Sequence, residues 1–110
     1  MYKIIPDPAG APATGPTTGS LEFRSVAPNP FALSTRLDVN VQRAGGFDLA
    51  IVNTSGQVLR QLASGAREAG VVSMTWDGRD DRGRLVPAGV YFARARLDGE
   101  RTAQRISVVR

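Results

Sequence analysis

Apolar and polar residues alternate most cleanly between Leu33 and Val41. Leu33, Leu37, Val39 and Val41 fall on one face of an extended chain, with Ser34, Arg36, Asp38, Asn40 and Gln42 on the other. A period of two residues marks a strand with one face buried. Gly45-Gly46 interrupts the run, and Phe47, Leu49 and Ile51 then open a second inward set. Asn53-Thr54-Ser55-Gly56 reads as a turn, Val58 to Leu62 as a short strand, and Gly65 to Gly70 as a loop. Val72, Met74 and Trp76 alternate with Ser73 and Thr75; further on, Tyr91, Ala93, Ala95 and Leu97 alternate with Phe92, Arg94 and Arg96. Asp98-Gly99 is a two-residue hairpin signal, and Thr102 to Val109 forms the closing strand. Upstream, Leu21 to Phe31 predicts an edge strand ended by Pro28 and Pro30, which cannot donate to a central ladder. No helical period of useful length occurs. The pattern therefore predicts an all-β, antiparallel domain of about seven strands over residues 21–110.

The stretch from Trp76 to Phe92 organises the rest. A strand ends in Trp76, and a polar turn follows with Asp77, Gly78, Asp80, Asp81 and Gly83. Pro87-Ala88-Gly89 then resets the chain into a strand opening with Val90, Tyr91 and Phe92. Glycines supply backbone angles closed to other residues, and the aspartates can accept hydrogen bonds from turn amides. A connection with a large aromatic at each end belongs to architecture. Turn signals at this spacing predict an immunoglobulin-like β-sandwich, with closure into a barrel as the alternative. Residues 1–20 differ in kind: Tyr2, Ile4 and Ile5 precede a run of Pro, Gly, Ala and Thr that cannot bury a core. They are expected to form an extended arm. Those three apolar side chains are expected to dock on a sheet edge or groove, with a neighbouring subunit as its owner.

Composition narrows the chemistry. At 110 residues the chain has room for a modest core, and with 6% aromatics that core rests on Val, Leu, Ile and Ala. There is no cysteine, hence no disulfide or thiolate metal site. There is no histidine, which removes the commonest general base and transition-metal ligand. Ser73 and Ser107 consequently lack a base, and the chain is expected to be non-catalytic, without a cofactor. No apolar run reaches the roughly 20 residues of a membrane span. The N-terminus lacks a basic-then-apolar export pattern, so any export signal is expected outside this chain.

Net charge is +4, from thirteen arginines and Lys3 against ten carboxylates. If Asp98-Gly99 closes a two-residue loop, Leu97 pairs with Glu100 and the register follows. Tyr91 then faces Ile106 inward, while Arg96 opposes Arg101 and Phe92 opposes Arg105 on the outer face beside Arg94. Like charges directly opposed cost stability. Arg94, Arg96, Arg101 and Arg105 are therefore a candidate anion-binding face, unless Asp98 or Glu100 neutralises the pair. Asp77, Asp80 and Asp81 offer oxygen ligands of the sort calcium takes. Their spacing differs from the helix-flanked calcium loop, and Arg79, Arg82 and Arg84 oppose them, which favours a self-capping turn. Lys3 has no Asn or Asp partner in the closing strand for an isopeptide link. Trp76 and Tyr91 read as core anchors. Gly89 reads as a position whose angle or contact excludes a side chain. Nucleic acid is not expected, because aromatics are not interleaved with the basic residues as a stacking platform.

Three runs carry a family resemblance: APNPF at 27–31, GFDLAIVNTSGQVLRQL at 46–62, and WDGRDDRGRLVPAGVYFARARLDGE at 76–100. They resemble the superfamily joining the Ig-like domain of the flagellar hook-capping scaffold (FlgD-type) with the C-terminal sorting domain of type IX secretion cargo. Asn29-Pro30 and the basic end with Arg105 and Arg110 are closer to the sorting branch; the Asp-rich turn and Pro87-Ala88-Gly89 suit either. The resemblance implies a sandwich recognised by other proteins at the bacterial cell surface or outside it. The implied partners are secretion or anchoring machinery, or copies of itself, with anionic surface polysaccharide as the partner the arginine face would add. The alternatives are a stand-alone subunit of a filament, sheath or particle coat that uses the arm for contacts, and a hook-assembly scaffold domain.

Overall fold

A computed structural model describes residues 20–110. Seven strands run in order: β1 (Leu21–Ala27), β2 (Thr35–Val41), β3 (Gly45–Val52), β4 (Val58–Arg67), β5 (Gly70–Trp76), β6 (Gly89–Leu97) and β7 (Glu100–Val108). They form two antiparallel sheets, β1-β2-β5 and β4-β3-β6-β7. Two facing sheets with distinct edges make an immunoglobulin-like sandwich, so the barrel alternative falls. The arm assigned to residues 1–20, with Tyr2, Ile4 and Ile5 as its docking side chains, lies outside the described residues except for Ser20.

Alternation builds the core. Leu37, Val39 and Val41 of β2 face Phe47, Leu49 and Ile51 of β3 and Ala93, Ala95 and Leu97 of β6, all buried. The small alanines of β6 leave room at the centre for the larger residues of the opposite sheet. Trp76 closes one end. It is fully buried, its ring meets Phe31 at 5.4 Å and Tyr91 at 5.8 Å edge-on, and its Nε1 donates to the Arg79 carbonyl at 2.9 Å. Tyr91 Oη donates to the Pro87 carbonyl four residues upstream at 2.6 Å, much as the tyrosine corner of such sandwiches does.

Three local expectations are corrected. Leu33 is not an inward strand residue; it is 85% exposed in the loop before β2. The buried position two residues later belongs to Thr35, whose hydroxyl donates to the Pro28 carbonyl at 2.7 Å. Residues 65–67 are not loop: β4 continues to Arg67, and Gly65 at φ +124° stays paired with Phe47. Gly45-Gly46 likewise begins β3 instead of separating strands. In both glycine cases cross-strand pairing overrides the local meaning of the residue.

Candidate functional site

The hairpin places the four candidate arginines on the outer face of the four-stranded sheet. Asp98 takes the left-handed conformation at φ 54°, and Leu97 pairs with Glu100. Arg96 accordingly lies opposite Arg101, Phe92 opposite Arg105, and Arg94 opposite Ala103, while Tyr91 faces Ile106 in the core. On the other flank, β3 sets Asp48 beside Arg96, Ala50 beside Arg94 and Val52 beside Phe92. The face is thus a row of guanidiniums whose other cross-strand neighbours are small or apolar except for Asp48.

The carboxylates expected to neutralise the row are engaged elsewhere. Arg43 Nη1 donates to Asp98 Oδ2 at 2.7 Å, and Asp98 Oδ1 accepts from the Gly46 amide at 3.0 Å. These two bonds, the Arg43 one first, hold the Asp98 carboxyl below its ordinary value. Glu100 lies 3.7 Å from Arg43 Nη2 and accepts from the Ser20 amide at 2.8 Å. Among the described residues, Arg96, Arg101 and Arg105 have no carboxylate within ion-pair distance. Arg94 has one: Asp48 Oδ2 at 3.8 Å from Nη2, with Asp48 also accepting from Gln61 Nε2. Arg94 is mostly covered, its Nε is buried without a hydrogen-bond partner among the described residues, and burial, followed by the adjacent Arg96 charge, lowers its pKa against the pull of Asp48. Positive charge is therefore held on the outer face of the sheet with Asp48 as its partial counter-charge among the described residues. Arg43, Asp48 and Gln61 shape this face and were not singled out by spacing. Arg43 reaches it from the β2–β3 connection and Asp48 and Gln61 from the middle of β3 and β4, which local pattern does not encode.

The aspartate turn is otherwise occupied. Asp77 accepts from the Arg79 amide at 3.1 Å and from Arg60 Nη1 at 3.3 Å. Asp80 Oδ1 accepts from the amides of Arg82 and Arg84 at 2.9 and 3.0 Å, and the Arg84 amide is the main cause of its lowered pKa. Asp81 accepts from the Gln61 amide at 3.2 Å and its own amide donates to the Leu59 carbonyl at 2.9 Å. The three carboxylates cap backbone and do not converge. Gly78 and Gly83, at φ +75° and +81°, give the turn its shape. Gly89 stands at φ +154° with nothing within 4 Å of where a Cβ would sit, so backbone angle is its constraint and contact is not. Arg110 adds a clamp: its guanidinium donates to the carbonyls of Val86, Ala32 and Gly78 at 2.8, 3.3 and 3.4 Å. An open hollow beside the turn is lined by Leu59, Asp80, Arg84, Leu85 and Tyr91. Its charged groups already bond each other.

Comparison with known families matches residues 25–100 to the FlgD Ig-like domain. No curated protein matches the chain. Among solved structures, dimeric latent PorU of Porphyromonas gingivalis superposes with a TM-score of 0.64 at 16% identity, over 91% of this chain and 10% of that one. PorZ, a surface component of the type IX secretion system of the same organism, gives 0.56 at 24% identity, over 78% of this chain and 11% of that one. FlgD of Xanthomonas campestris, a hook-capping protein, gives 0.53 at 27% identity, over 80% of this chain and 64% of that one. The chain thus spans about a tenth of the two Porphyromonas proteins.

Proposed function

Because the chain belongs to the FlgD Ig-like domain family, we propose that it is a non-catalytic attachment module of the bacterial cell surface. It acts in the manner of a type IX sorting and anchoring domain, with anionic surface polysaccharide as the counterpart of its arginine face. The observation that carries this reading is the row Arg94, Arg96, Arg101 and Arg105, whose nearest hairpin carboxylates are bound to Arg43. Opposed arginines cost a sheet some stability, and a bound anion would offset that repulsion. The likeness of fold to a domain-sized part of PorU and of PorZ supports the secretion setting.

The test fuses residues 21–110 behind a reporter with its own export signal, in a bacterium that has type IX secretion. The reporter should become cell-bound, and the double reversal Arg96→Glu/Arg101→Glu should shed it into the medium. A reporter that never reaches the surface sinks the attachment reading. One held equally by the reversed domain removes the arginine face from it.

A second reading, a hook-assembly scaffold domain, is favoured by the 27% identity to FlgD over 80% of this chain. Restoration of motility in a strain lacking its own FlgD Ig-like domain would favour that reading over the first.

A further inference from the structure

We infer that the free edge of β5 is a self-association site, at which two copies of this chain pair their β5 strands antiparallel about Ser73. A sandwich with two sheets has four edge strands, and unprotected edges are templates for another strand. Three of the four edges here carry protection. β1 is broken by a bulge at Arg24 and bears Glu22 and Arg24. β7 is covered by the 28–31 loop: Asn29 bonds both the Arg105 carbonyl and the Ser107 amide, and the Phe31 amide donates to the Ser107 carbonyl. β4 has two register shifts and is capped by Asp81, which bonds the Leu59 carbonyl and the Gln61 amide.

β5 has none of these devices. Its seven residues, Gly-Val-Val-Ser-Met-Thr-Trp, include no charge and no proline, and they pair with β2 at every position without a shift. Among the described residues, no backbone bond reaches its other side. Val71 is 47% exposed on it, and Met74 packs only partly into the core.

The occupant follows from the pattern. A two-fold pairing centred on Ser73 sets Val71 opposite Thr75 and Val72 opposite Met74 of the second copy. Apolar residues then meet on the inner face and small ones on the outer face. No like charges oppose each other, and the nearest outer charges, Arg36 and Asp38, are paired with each other at 3.0 Å. An isologous contact of this type needs a surface complementary to itself. An uncharged, regular strand meets that need. The joined sheet would run β1-β2-β5-β5-β2-β1 across the two copies, on the sheet opposite the arginine face, so the contact does not depend on the attachment reading.

The experiment is sedimentation velocity of the full chain from micromolar to roughly millimolar concentration, where even a small interface is populated. The wild type should form dimers as concentration rises. Ser73→Lys puts two lysines face to face and should weaken dimerisation about five-fold or more, and Ser73→Glu should do the same. Each variant keeps a local partner, Asp38 for lysine and Arg36 for glutamate, since both already bond Ser73 Oγ. A one-to-one mixture of the two should dimerise at least as well as the wild type. A wild type that stays monomeric overturns the proposal. So do single variants that dimerise unimpaired, or a mixture that does not recover.

Discussion

Replacing Trp76 by alanine removes the largest side chain of the core from the point where the two sheets, the aspartate turn and the 28–31 loop meet. The indole is fully buried, and it holds edge-on contacts to Phe31 and Tyr91. Truncation of a buried aromatic costs about 3–5 kcal/mol. Loss of the Nε1 bond to the Arg79 carbonyl adds at most about 1 kcal/mol, because that acceptor keeps Arg60 Nη1 at 3.2 Å. A domain of this size has on the order of 5–10 kcal/mol in all, so Trp76→Ala should sit near the limit of folding. Trp76→Phe keeps most of the ring contact and should cost about half as much, chiefly the bond and the missing volume. The measurement is urea unfolding followed by circular dichroism, since Trp76 is the only tryptophan and the tryptophan fluorescence disappears with it. A midpoint for Trp76→Ala within error of the wild type would refute the whole account of the core. Equal loss in both variants would assign the stabilisation to the hydrogen bond instead of to packing.

Gly89→Val should destabilise by about 1–3 kcal/mol and Gly89→Ala by nearly as much, because the strain at φ +154° is in the backbone and the space is open; an unfolding midpoint for Gly89→Ala equal to the wild type removes that claim. Arg96→Glu/Arg101→Glu should leave the domain folded while weakening its retention on an anionic polysaccharide column, and the wild type should elute as salt rises; retention that ignores both the reversals and salt rules out the face. Asp98 has a folded pKa below its unfolded one, so its contribution is complete above the ordinary carboxylate value and is lost as pH falls through the folded value. Asp98→Asn should therefore lower the neutral-pH midpoint and flatten the acid limb of stability against pH, and an unchanged limb contradicts this assignment.

The sequence pattern disclosed whatever a period of two and a tight hairpin can determine. One dipeptide, Asp98-Gly99, settles which residues of β6 and β7 are opposite, and from that the pairing of Arg96 with Arg101 follows without further information. Trp76 and Tyr91 were legible as anchors for the same reason, since each stands at an inward position of an alternating run beside a turn. Contacts between residues distant in sequence were not legible. That Arg43 takes Asp98 and Glu100 depends on the β2–β3 connection lying beside the β6–β7 hairpin, which follows from β3 neighbouring β6 in the sheet. The same is true of Arg110, which ties residues 32, 78 and 86 together through their carbonyls. Glycine misled for a related reason. In an isolated peptide Gly65 ends a strand, but here the partner Phe47 and the rest of β3 hold it in line. The bare edge of β5 belongs to this class as well. Its apolar sequence was visible, but an edge is defined by what does not lie beside it, and only the order of strands shows that. Local pattern thus assigns a side chain to a face, while the ordering of strands decides which charges stay uncompensated and which backbone stays unpaired.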